Sequence, residues 1–159
     1  MTMNITIQKA TIDDSNEIAV MVGELLDEIM AAIGIQVFNF SLDETALRLK
    51  DFIGQEKYFV FVARDGNTNA IGFVAMYEGY ALYAEGAFGT IPELYVRPAY
   101  RSQGVGLRLL EQAKSFGNSR GWTRLEVTTP PLPQFDKTLL FYEREGFAIT
   151  GGRKLKVTL

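Results

Sequence analysis

The sequence predicts an α/β (α+β) fold, a mixed and mostly antiparallel central sheet with helices on both faces. Three observations predict it. Short β-branched or aromatic runs and stretches of helical periodicity follow one another along the chain in the order β-α-α-β-β-β-α-β-α-β-β. Turn residues at Asp65-Gly66-Asn67 and Gly151-Gly152 join neighbouring runs into hairpins, so the sheet cannot be all parallel. Of the 159 residues 47% are apolar and 22% charged, enough for one buried core and a single domain over 1–159.

Asn4 to Gln8 alternates polar residues with Ile5 and Ile7, the pattern of a short strand. Asp14 with Glu17 three residues on reads as a capping box. Behind it Ile18, Met21, Val22, Leu25, Leu26 and Ile29 lie at helical spacing, and Gly34 stops the helix. Ser41 and Glu44 repeat the capping signal for a second helix to about Gly54. Tyr58 to Arg64 is a strand, and Ala70 to Tyr77 returns from it. Residues 78–89, rich in Gly, Tyr and Ala, are expected to be a loop or a ragged strand end. Thr90 to Val96 is the next strand, stopped near Pro98. Gly104 to about Ser119 is helical, with Gly106, Leu109, Leu110, Ala113 and Phe116 as its buried stripe. Arg124 to Thr128 is a strand, Asp136 to Glu145 a short helix ending at Gly146, and Phe147–Thr150 with Arg153–Leu159 a last hairpin.

Composition narrows the chemistry. There is no Cys and no His, so thiolate nucleophiles, Cys-bound acyl intermediates, disulfides and the commonest metal ligands are excluded, and no metal is expected. Acid–base work falls to Asp, Glu, Tyr, Lys, Ser or water. A net charge of -3 argues against nucleic acid and suits a cationic small substrate. Met1 to Lys9 lacks a signal-peptide pattern and no apolar run approaches bilayer length, so no membrane partner and a cytoplasmic location are expected.

The segment richest in chemistry is Ile91-Pro92-Glu93-Leu94-Tyr95-Val96, Arg97 to Gln103, then Gly104-Val105-Gly106. It spells strand, short loop, glycine-punctuated turn, helix. A helix start leaves backbone N–H groups unpaired and carries partial positive charge. Glycines let an anion approach that backbone, and Arg101 adds a formal charge, so the segment can cradle a pyrophosphate. The same glycines would equally serve tight helix packing. The G-x-x-x-x-G-K-[ST] pattern is absent. A dinucleotide turn, for which Glu126 has suitable spacing as a ribose ligand, would need its glycines directly after the strand, and Leu109 holds the third glycine position.

Arg101-Ser102-Gln103-Gly104-Val105-Gly106 resembles the R/Q-x-x-G-x-G/A signature of the GNAT superfamily of N-acetyltransferases, and Leu94 to Tyr100 resembles its lead-in. Phe141-Tyr142-Glu143-Arg144-Glu145-Gly146-Phe147 is similar to the family's second motif, F-Y-x-x-x-G-F. The resemblance extends to the element order over nearly the whole chain. It implies a GNAT-like acyl-CoA N-acyltransferase fold and transfer of an acetyl group from acetyl-CoA to a primary amine, on a small molecule or a peptide, by direct attack in a ternary complex. By similarity, the backbone of Gln103, Gly104, Val105, Gly106 and Leu107, with Arg101 and Ser102, would hold the coenzyme pyrophosphate. Leu94, Tyr95 and Val96 would lie along the pantetheine arm, and a backbone N–H near Val96 would polarise the carbonyl. The sheet would open between this strand and Arg124–Thr128. Relatives often carry an Asn before the Phe-Tyr pair; here Asp136 and Lys137 stand in that stretch as the candidate coenzyme contacts.

Tyr142 takes the place of the family's general acid. A phenol, with pKa ~10, is protonated at neutral pH and can donate to a departing thiolate; the alternative is an amphipathic core Tyr. Deprotonating an alkyl ammonium of pKa ~10.4 at pH 7 costs on the order of 4–5 kcal/mol, so a base must help. The resemblance implies Glu93, because similar enzymes often place an acidic residue on this strand beside the thioester; a surface or substrate-binding Glu is the alternative reading, and Glu78 and Glu85 are weaker candidates. By family analogy the stretch from about Asp27 to Phe40 would form one wall of the acceptor site. Tyr77, Tyr80 and Tyr83 could face a cationic amine with Glu78 and Glu85, or serve packing. A non-catalytic module that senses acetyl-CoA, a nucleotide-dependent oxidoreductase and a homodimer remain as alternatives or additions.

Overall fold

The computed structural model describes residues 4–159 and divides into two compact units, Met1–Thr128 and Thr129–Leu159. In the first, five strands form one sheet: β1 (Thr6–Lys9), β2 (Phe59–Arg64), β3 (Ala70–Ala81), β4 (Gly86–Val96) and β5 (Leu125–Val127), side by side in that order. All neighbours are antiparallel except β4 and β5, which are parallel, so the sheet is mixed and mostly antiparallel, and the Asp65-Gly66-Asn67 turn joins β2 to β3 as a hairpin. Helices α1 (Ser15–Ile33), α2 (Leu42–Gly54) and α3 (Val105–Arg120) complete this unit.

Strand β2 shows why helices cover both faces. Its side chains alternate, and all of Phe59 to Ala63 are buried. Val60 and Val62 join Ile18 and Met21 of α1, Leu49 of α2, and Phe73, Ala75 and Tyr95 in one core cluster. Phe59 and Phe61 point the other way, their ring centroids 4.9 and 5.5 Å from that of Phe116 on α3.

The helix ends follow local chemistry, with one shift. Ser41 caps α2, and Gly34 ends α1 in the left-handed region at φ 72°. The capping box lies one turn earlier than expected: Thr11 and Asp14 form it around a 3-10 turn, Ile12–Asp14, that leads into α1. Glu17 instead pairs with Arg64, 2.9 Å away, and Asp14 meets the same guanidinium at 3.1 Å.

One open reading is decided and one expectation fails. Residues 78–89 are mostly strand, because β3 and β4 stay paired to Ala81↔Gly86. The glycines that looked like loop are covered by rings: Phe88 lies over Gly79, and Trp122 over Gly89 and also over Gly117 of α3. Backbone pairing plus an aromatic cover replaces the side-chain packing that glycine lacks. The last hairpin is absent. In the second unit α4 (Asp136–Arg144) precedes Gly146 at φ 95°, and 147–159 contain no strand. Leu155 and Val157 alternate as a strand would, yet both are exposed, so nothing buries the face that would reward pairing.

Candidate active site

The sheet parts at the middle of β4. Strand β5 pairs with it only at Gly89↔Leu125, Thr90↔Glu126 and Ile91↔Val127. Beyond Ile91, β4 runs on to Val96 with no strand on that side. The cause is local. Ile91 and Pro92 together oppose the single residue Met76 of β3, a bulge that bends the strand and reverses its edges, and Pro92 has no N–H to give. Arg97 N–H donates to Ile71 C=O at 2.9 Å. By alternation Glu93 and Tyr95 also turn their backbone groups toward β3, and Leu94 and Val96 turn theirs to the open side.

That edge leads into Pro98–Tyr100, a 3-10 turn, and then to the start of α3. Ser102 at φ 61° and Gly104 at φ 83° are both left-handed, which bends the chain sharply into the helix. Arg108 N–H reaches back to Gly104 C=O at 3.1 Å, so the N–H groups of Val105, Gly106 and Leu107 precede the helix's own ladder. A Cβ on Gly104 would meet no atom within 4 Å, so the mouth is open there. Val105 is buried and anchors the first turn, and Gln103 donates its side-chain amide to Ala99 C=O at 3.3 Å.

The two arginines of the lead-in are held by α1. Arg97 makes a two-pronged contact with Glu24 at 3.1 and 3.0 Å and reaches Ala70 C=O at 2.8 Å. Tyr95 donates to the same Glu24 at 3.2 Å, and burial with that carboxylate nearby lifts its phenol to about 12. Arg101 donates through Nε to Val96 C=O at 2.8 Å and through Nη2 to Glu28 at 2.6 Å, with its guanidinium over the Tyr95 ring. Val96 C=O is therefore satisfied by Arg101. Neither tether was visible in sequence, although Glu24/Glu28 and Arg97/Arg101 share a four-residue spacing.

Glu93 lies opposite Ala75 and on the same face of β4 as Tyr95. The hydroxyl of Tyr58 donates to both its oxygens, at 3.3 and 3.4 Å. Burial pushes the carboxyl up to about 7, against the opposing pull of the Tyr58 hydrogen bond. Tyr58 is the residue that sequence reasoning missed. It directly precedes β2 and shares the side-chain parity of Val60 and Val62, the one signal that could have found it.

Tyr58 also lines a cavity of about 410 Å³ with Phe52, Glu56, Lys57, Tyr77, Glu78 and Tyr80. Its ring stacks on Tyr77, centroids 6.3 Å apart, and meets Phe52 at 5.2 Å. Tyr77 and Tyr80 thus lie where a cavity exists, while Tyr83 sits under the Arg124 guanidinium. Glu78 is occupied structurally: Tyr80 and Trp122 donate to it and Arg120 pairs with it, which together hold its carboxyl below the ordinary range. Glu85 occupies the turn between β3 and β4 at φ 61°.

In the second unit Tyr142 is buried on α4, with its ring against Phe141 and Phe147, centroids 5.3 and 5.4 Å away. Burial raises its phenol to about 12. Asp136 and Lys137 are exposed in the first turn of the same helix. Among the described residues no cluster of acidic side chains could hold a metal ion, and no helix is long and apolar enough to cross a membrane.

Residues 56–149, more than half of the chain, match the Acetyltransferase (GNAT) domain. The chain belongs to the GNAT acetyltransferase family. Solved structures repeat its fold at low identity. An integron cassette protein from the mobile metagenome of Cole Harbour Salt Marsh superposes with a TM-score of 0.79 at 23% identity, covering 96% of this chain and 90% of that one. An aminoglycoside acetyltransferase from an uncultured soil metagenomic sample, in complex with trehalose, gives 0.75 at 22%, covering 98% and 96%. A predicted acetyltransferase from Clostridium acetobutylicum, with acetyl-CoA, gives 0.77 at 16%, covering 97% and 96%. No curated protein sequence matches the chain.

Proposed function

We propose that this protein is an acetyl-CoA-dependent N-acetyltransferase acting on a small cationic primary amine. The observation that carries the reading is the parted sheet: the free edge of Leu94 and Val96 runs directly into the glycine-bounded mouth of α3, with Glu93 on the same strand. An edge without a partner strand suits an extended pantetheine arm, and unpaired N–H groups at a helix start suit a pyrophosphate. In this reading Gln103, Gly104, Val105, Gly106 and Leu107 hold the anion through their backbone, with Ser102 setting the bend. Arg101, paired with Glu28, fixes the Val96 carbonyl beside that mouth. Asp136 and Lys137 are further candidate contacts. Acetyl-CoA supplies the activated acetyl thioester.

Glu93 takes the proton of the incoming amine. Against an ordinary carboxylate at 4.5, an ammonium of pKa ~10.4 would give up its proton across about six pH units, or about 8 kcal/mol. With Glu93 at about 7 the gap falls to about 3.4 units, or about 5 kcal/mol. Burial of Glu93 therefore removes about 3 kcal/mol from the step. The Tyr58–Tyr77 wall offers ring faces to the cation, and the Val96 N–H polarises the acetyl oxygen. Tyr142, protonated far above neutral pH, is the donor to the sulfur.

The test is thiol release and mass-detected acetylation across a panel of diamines, polyamines, aminoglycosides and amino acids. Acetylation of at least one class is expected. Tyr142→Phe is expected to lower kcat by about 100-fold or more with acetyl-CoA affinity unchanged. Coenzyme binding without turnover on any amine would leave a sensing module instead, and unchanged kcat in the variant would remove Tyr142 from the chemistry.

A further inference from the structure

We infer that Tyr58 is the positioning residue of the acceptor side: its hydroxyl holds the Glu93 carboxylate while its ring walls the cavity through which the amine arrives. The inference rests on the reading of Glu93 as the base. Three features of the geometry carry it.

One hydroxyl reaches both carboxylate oxygens at nearly equal distance, 3.3 and 3.4 Å, so it meets the carboxylate end-on and shares its one proton between the two oxygens. Tyr58 itself is held on two sides, by the stacked Tyr77 and by Phe52, so the donor is not free to follow a wandering acid. And Tyr58 is shared between Glu93 and the cavity, which puts the acid beside the cavity wall without opening it fully to water.

The charged neighbours make the pair self-contained. Glu24 of α1 is turned to Arg97 and Tyr95. Glu78 of β3 is taken by Tyr80, Trp122 and Arg120, and Tyr77 of β3 meets Tyr58 by stacking. Glu56 and Lys57, of opposite charge, line the same cavity. Tyr58 is the side chain whose hydrogen bond opposes the burial of Glu93. It favours the ionised form and keeps the acid usable as a base at neutral pH. Its own phenol is pushed far up by burial and by Glu93, so it remains a donor throughout.

Tyr58→Phe keeps the ring and removes the donor. Carbon-13 NMR titration of the Glu93 carboxyl, assigned by its loss in Glu93→Gln, needs no acceptor. Its midpoint is expected to rise by about half to one pH unit in Tyr58→Phe, the effect of one long hydrogen bond to a carboxylate. With an amine that the panel identifies, the acidic limb of kcat/KM is expected to move the same way, lowering the rate at pH 6 by about three- to tenfold. Acetyl-CoA affinity is expected to stay within about twofold. A midpoint and limb that do not move in Tyr58→Phe, while Glu93→Gln abolishes the limb, overturn the role of Tyr58 and leave Glu93 as base. A limb that persists in Glu93→Gln overturns the base reading, and Tyr58 falls with it.

Discussion

Replacing Glu93 by Gln is expected to flatten the dependence of folding stability on pH between 5 and 8. The carboxyl ionises at about 7 in the folded chain against an ordinary 4.5. Because the folded value is the higher one, folding favours the protonated acid. The stability tied to that preference is whole below pH 4.5 and is lost as pH rises through 7. The gap of about 2.5 pH units at ~1.36 kcal/mol each is about 3 kcal/mol, of which about 2.5 kcal/mol falls between pH 5 and 8. Some solvent reaches the side chain, so about 1.5–2.5 kcal/mol is the expected effect. Gln has the same shape and cannot ionise. The assay is urea unfolding at several pH values, followed by the fluorescence of Trp122, the chain's single Trp. Glu93→Gln should gain on the wild type by that amount from pH 5 to pH 8. Curves that stay parallel within about 0.5 kcal/mol would refute the claim that burial, rather than a partner charge, governs this acid.

Gly104→Val forces a β-branched residue to φ 83° at a spot where its side chain touches nothing. A stability loss of about 1–2 kcal/mol is expected from the backbone alone. Acetyl-CoA affinity, read by calorimetry, should fall by about tenfold or more because the mouth of α3 is narrowed; unchanged affinity would move the anion site elsewhere. Gly89→Ala would place a Cβ 2.3 Å from the Trp122 ring and 3.0 Å from Leu125. That ring is held by Glu78 and flanked by Phe59 and Phe116, so it cannot step aside. A loss of about 2–3 kcal/mol, seen as a Tm lower by about 5–10 °C, is expected; a Tm within about 2 °C would mean that β4 and β5 separate there at little cost.

What the sequence determined by itself was whatever depends on near neighbours along the chain. Helix limits at Ser41 and Gly34 follow from a cap and a left-handed glycine, which act within one turn. The glycine-bounded start of α3 was legible for the same reason, and two short motifs were enough to place the chain in its family. Glu93 became a candidate only through the family resemblance, which marks its strand. The tertiary structure decided the rest. Only cross-strand registry reveals that Ile91 and Pro92 form a bulge, that β5 leaves β4 there, and that the Gly-rich stretch 78–89 is mostly strand under Trp122 and Phe88. Likewise only packing brings Tyr58 to Glu93, 35 positions away, and Glu28 to Arg101, 73 away. Whether a carboxylate is an ordinary surface acid or one that titrates near neutrality depends on the water excluded around it, and water is excluded by residues distant in sequence.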